Sequence, residues 1–149
     1  MATDRNYIRL NNASRERLEA FVARCSDAEL ARATPGGWTV AAVLAHLAFW
    51  DERVRILFER WRTSGVAPAP EEASDVDWIN DSAKPMFLAL APRQAAEIAL
   101  RVARAADQEV EALSDDMLNR NAAAGAPLNV VRAMHRAQHL DEIEHLPRA

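Results

Sequence analysis

Apolar residues recur three or four positions apart in four separate stretches of the chain, and no stretch alternates with the two-residue period of a half-buried strand. Tyr7, Leu10, Ser14, Leu18, Phe21 and Cys25 predict a first helix from Asp4 to Arg24, with Asn11 and Asn12 tolerated inside it and Arg and Glu on its outer face. A short stretch, SDAEL, leads to Pro35-Gly36-Gly37, which forces a turn, and Thr39 is placed to cap the next helix. This second helix, Val40 to Arg62, is apolar at Val43, Leu47, Trp50, Val54, Leu57, Phe58 and Trp61. SGVAPAPEEASD then reads as a surface loop of about a dozen residues, long enough to cover a site. The third helix is expected in two pieces. One starts at Val76, carries Trp78, Ile79 and Ala83, and is interrupted at Pro85. The other starts at Pro92 and keeps helical spacing at Ile98, Val102, Ala105, Glu109, Val110 and Leu113, until SDDMLNRNAAAGA and Gly125 close it. The economical architecture is an all-α four-helix bundle with a broken third helix, one domain over residues 1–149.

The last stretch, Pro127 to Leu146, is read as one helix whose inward stripe changes character. Leu128, Val131, His135, His139, Glu142 and Leu146 fall on one face, apolar at the ends and polar in the middle. An unpartnered imidazole or carboxylate taken out of water costs on the order of a few kcal/mol, so the middle of this face requires a partner. Histidines at i and i+4 can aim both rings at one atom, a spacing used by helical zinc sites. The alternative is that the rings are partly exposed or hydrogen-bonded to neighbouring helices. His46, beside the apolar stripe of the second helix and flanked one turn away by Ala42, Val43, Phe49 and Trp50, is the third candidate imidazole, and a bundle can bring all three to one point.

Composition narrows the function classes. Half of the residues are hydrophobic and 27% are charged, and no apolar run approaches the ~18 residues that cross a bilayer, so no membrane span is expected. The N-terminus lacks an apolar signal core, which points to the cytoplasm. Cys25 is the only cysteine and ends an apolar pattern, so it reads as buried filler and not as a nucleophile. A net charge of −4, with Arg residues scattered among acids, argues against a nucleic-acid partner. Four tryptophans are more than one small core hides, which favours a homodimer formed through helix faces.

The segment GGWTVAAVLAHLAFWDERV, followed some ninety residues later by HRAQHLDEI, resembles the DinB-like (damage-inducible) superfamily of four-helix bundles, whose relatives include thiol-dependent S-transferases and mycothiol-dependent maleylpyruvate isomerases. In that family a Trp-Ser/Thr pair opens a helix carrying L-x-H-L-x-x-W, and the last helix carries H-x-x-x-H-L. The resemblance covers nearly the whole chain. It implies that Trp38 and Thr39 match the helix opening, that His46, His135 and His139 are the metal ligands, and that the protein is a homodimer. His145 has no counterpart among the ligands and lies well off the stripe, as a surface residue near the last turn. Two departures stand out: Ala41-Ala42 where relatives have an acidic residue after the capping Thr, and Glu142 where many have Gln or a similar amide. Glu142 has three available roles, as a direct ligand, as a hydrogen-bond acceptor holding a ligand imidazole, or as a general base, and the second is favoured.

Three neutral imidazoles leave a divalent ion one or more open positions, and imidazole suits zinc, nickel and iron alike. The implied function is a metal-dependent enzyme that activates a low-molecular-weight thiol for S-transfer or isomerisation of a small-molecule substrate. The alternatives are a metal-dependent hydrolase working through water, and a non-catalytic, stress-related binding bundle. Arg132 and Arg136 flank the histidine stripe. They are read as solvent-facing, with pairing to the carboxylate of a thiol cofactor as the other possibility.

Overall fold

A computed structural model describes residues 3–147. The first helix, α1 (Asn6–Arg24), ends at Cys25, which turns extended and is buried. SDAEL is itself a helical turn, α2 (Asp27–Leu30), created by a reciprocal cap in which the Ser26 hydroxyl accepts from the Glu29 amide and the Glu29 carboxylate reaches back to Ser26. Two-residue strands β1 (Ala33–Thr34) and β2 (Trp38–Thr39) pair antiparallel, a small correction to the strandless expectation. Gly36 and Gly37 allow the turn between them, since both adopt positive φ (84° and 77°). The Thr39 hydroxyl accepts from the Ala42 amide at 3.1 Å and so opens α3 (Val40–Ser64), as its sequence position implies.

Residues 65–72 connect α3 to α4 (Ala73–Ala89), which begins three residues before Val76 and runs straight through Pro85. The proline is exposed, so the hydrogen bond it cannot make leaves a carbonyl open to water. The break in this region lies instead at Leu90 and Ala91, both extended, because Pro92 at the first position of α5 (Pro92–Glu111) excludes the residue before it from helical geometry. SDDMLNRNAAAGA forms a separate helix, α6 (Asp115–Ala123), capped by Ser114, whose hydroxyl accepts from the Met117 amide.

The last helix, α7, covers only Ala133–Glu144, and the expected start at Pro127 is corrected. Leu128 is buried, but from a non-helical segment held by Asn121, which accepts from the Leu128 amide and donates to its carbonyl. The reason lies in α1. Asn11, 1% exposed, accepts from the amides of Arg132 and Ala133 at 2.8 and 3.1 Å and donates to the Val130 carbonyl at 2.9 Å. A side chain 121 residues away therefore caps α7 and fixes where it begins.

Helix α3 packs most extensively on α5, and α1 on α7 and α5. The buried face of α5 is a stripe of small residues, Ala95, Ala96, Ala99, Ala103 and Ala106, which lets α3 approach closely. Ile98 and Val102, expected inside, sit at the edge of that interface. One apolar cluster gathers Leu18, Phe21, Leu44, Leu47 and Leu140, and a second gathers Tyr7, Val54, Phe58, Trp61 and Leu128. Between the histidines and this second cluster the interior is ionic.

Candidate metal centre

His46 comes from the buried side of α3, and His135 and His139 come from successive turns of α7. One ring nitrogen from each lies within 4.8 Å of the others. His46 Nε2 and His135 Nε2 are 3.1 Å apart, and the three rings meet edge to face with centroids 4.8–5.0 Å apart. The His46–His135 spacing is that of two imidazoles on one ion, because two imidazole nitrogens bound to an ion at about 2.0–2.1 Å lie roughly 3.0–3.4 Å from each other.

The protonation states fit as well. Burial, reinforced by the nearby His139, lowers the His46 pKa to about 4. Burial, then His139, His46 and the guanidinium groups of Arg132 and Arg136, lowers that of His135 to about 3. Both rings are neutral at pH 7 and offer lone pairs, the form that metals bind.

Support behind the three imidazoles is uneven. His139 Nδ1 is hydrogen-bonded to Glu142 Oε2 at 3.1 Å, the contact that orients a ligating imidazole and selects its tautomer. His46 Nδ1 is buried and has no partner, so this ring is held by packing, in part edge-on against Trp38. His145 is exposed, turned to the Asp141 carbonyl, and takes no part in the cluster, as expected.

The imidazoles stand on the wall of a cavity of about 590 Å³. Its apolar side is Trp38, Val43, Trp50 and Val76, so the β-hairpin and α4 contribute to its wall. Asn80 on α4 also lines it, with Oδ1 accepting from Trp50 Nε1 at 2.8 Å.

The largest departure from the sequence-based expectation lies behind the histidines. Arg132 and Arg136, expected at the surface, are 6% and 0% exposed. Asp51 on α3 accepts from Arg132 Nε on one oxygen at 2.9 Å and from Arg136 on the other at 3.0 and 3.2 Å. Arg136 also binds Asp107 on α5, which in turn receives Arg15 from α1 at 2.7 Å. Burial alone would lower the Arg136 pKa; the bonds to Asp107 and the charges of both aspartates raise it, so the guanidinium stays charged. The missed signal was a charged residue set among apolar positions on three helices: Asp51 between Leu47 and Val54, Asp107 between Ala103 and Val110, Arg136 one turn before Leu140.

These features define an all-α protein with a three-histidine cluster able to hold a divalent ion beside a cavity. A comparison with protein families matches the DinB superfamily over residues 11–146, and the chain belongs to that superfamily. Comparison with curated proteins and with solved structures gives no match. Among the described residues, no helix is long and apolar enough to cross a membrane.

Proposed function

We propose that the protein is a metal-dependent enzyme in which His46, His135 and His139 hold one divalent ion, zinc, nickel or iron, and a small thiol is activated for S-transfer or isomerisation. The observation that carries this reading is the convergence of three ring nitrogens within 4.8 Å on the wall of a cavity. A divalent ion there supplies Lewis acidity, which favours the thiolate of a bound thiol at neutral pH, or ionised water in the hydrolytic alternative. The cavity lining contains no cysteine, serine or lysine, and Cys25 lies in the apolar cluster under α1, so the thiol is taken as external. The chain's own residues prepare the site. Burial keeps His46 and His135 neutral, Glu142 orients His139, and Trp38, Trp50, Val43 and Val76 form the apolar wall against which a substrate is held. In this reading α1, α3, α5 and α7 are the four members of a DinB-type bundle within a single domain, α4 and α5 being the divided third, and the protein works as a homodimer.

The test is a screen of electrophilic and maleyl-type substrates with several thiols, with and without chelator. Turnover that requires both thiol and metal is expected. Turnover that survives omission of thiol but not addition of chelator would move the assignment to the hydrolase, and a protein that binds no metal would remove both.

A further inference from the structure

We propose that Arg132 is the anion-recognition residue of the histidine cavity, and that the molecule bound there carries a carboxylate. This rests on the cavity being the ligand site, as in the function proposed above, and deepens that reading by naming the ligand's chemistry. Arg132 stands one turn before His135 and lines the same cavity, yet is 6% exposed. Its Nε donates to Asp51 Oδ1 at 2.9 Å and its Nη1 to the Asn129 carbonyl at 3.2 Å. Among the described residues, no protein acceptor takes Nη2. A guanidinium has five N–H donors in a fixed plane, so most of this fork is unused by the protein, and its free edge is not among the buried unpartnered atoms but opens on the cavity that Arg132 lines.

Arg136 provides the contrast. It shares Asp51, is 0% exposed, and spends its donors on Asp51, Asp107, Ser14 and backbone carbonyls. Asp51 gives Arg132 one oxygen only, because its second oxygen takes two bonds from Arg136. Arg132 is thus clamped along its inner edge and left open on another.

The cavity's other charges do not answer it. Glu71 is paired with Arg53, and Glu142 with His139. Among the described residues, Arg132 is the only arginine or lysine that lines the cavity. Asn80 adds a neutral donor: Trp50 occupies its Oδ1, and among the described residues nothing accepts from its amide N–H groups. A planar fork with a rigid support matches a carboxylate better than a flexible ammonium does. The carboxylate belongs either to the electrophilic substrate or to the thiol.

The experiment uses protein stripped of metal with 1,10-phenanthroline, so that neither an ion nor a polycarboxylate chelator competes. Binding is followed by tryptophan fluorescence, to which Trp38 and Trp50 on the cavity wall report, and by calorimetry. Maleate is compared with dimethyl maleate for the substrate source, and cysteine with cysteamine for the thiol source. In at least one pair the carboxylate member should bind about tenfold or more tightly than its neutral partner, and Arg132→Gln should abolish that preference without weakening the neutral compound. Arg132→Lys, which keeps the charge but not the fork, should retain part of it, and circular dichroism with a thermal melt shows whether each variant is folded. Should Arg132→Gln not fold, a drop of about threefold or more in Arg132→Lys carries the comparison. Lack of preference in both pairs, or an unchanged preference in the folded variants, overturns the proposal. The result does not depend on metal, so a failed metal centre and a failed anion site are told apart.

Discussion

Arg136 grips Asp107 with both arms of its guanidinium, Nη1 on Oδ2 at 2.9 Å and Nη2 on Oδ1 at 2.7 Å, with both side chains buried. This pair joins α7 to α5, and through Asp51 the same arginine joins α7 to α3.

Removing one partner strands a buried charge. Asp107→Ala should therefore destabilise the fold by about 3–5 kcal/mol. That is a large part of the roughly 5–15 kcal/mol available to a domain. Arg136→Met combined with Asp107→Leu should cost less than the sum of the single changes, because the two charges are coupled. Urea unfolding of Asp107→Ala, of Arg136→Met and Asp107→Leu singly, and of the double variant measures both, and an additive double variant would contradict the coupling.

For the metal, protein purified without an affinity tag should carry about one divalent ion per chain. His135→Ala, His139→Ala and His46→Ala should each lose it. Metal at about 100 times its dissociation constant adds about 2.7 kcal/mol, so chelation should lower the wild-type melting temperature by roughly 5–10 °C and leave the variants unmoved. Elemental analysis decides the point: full metal in both His135→Ala and His139→Ala would end the assignment.

Glu142→Gln removes the carboxylate behind His139 and keeps an acceptor of similar shape. If Glu142 orients the imidazole, metal affinity should fall about 10–100-fold. A general base would instead show as a loss of about 10²–10⁴-fold in turnover with metal content intact. Metal titration and steady-state kinetics on the same preparation separate the two roles.

The depressed histidine pKa values set a pH dependence for the metal-free protein. His46 and His135 titrate near 4 and 3 when folded and near about 6.5 when unfolded. Between these values the unfolded chain binds more protons, so stability falls as pH drops from about 6.5 towards 4, and these two groups contribute no slope above about 7. Urea midpoints from pH 7.5 to 4.5 should decline in the wild type and decline less in His135→Leu. Parallel curves would mean that the histidines do not carry the effect.

How much of the molecule was legible in its sequence depends on where each signal resides. The three-imidazole site was readable, because His46, His135 and His139 carry their spacing in the chain and the family pattern ties the two elements together. The helices were readable where apolar periods and caps are local, as at Thr39 and Pro92. The start of α7 was not, since the cap that sets it is Asn11, a residue whose local reading is a tolerated polar position in a helix. The buried arginines were missed for the same reason. An Arg beside a histidine stripe looks solvated until Asp51 and Asp107 are seen opposite it, and those aspartates belong to other helices. Ser26 and Glu29 did carry a local capping signal for α2.

The contact between Asn11 and the beginning of α7 also orders events in time. Twelve residues of α7, without a cap of their own, are marginal as an isolated helix in water. The bond that starts them closes a loop of more than one hundred residues, a slow and entropically costly step. The imidazoles of His135 and His139 are thus expected to come into line only once α1 has docked against the start of α7. A fragment lacking the first dozen residues, and with them Asn11, is expected not to present that pair in register.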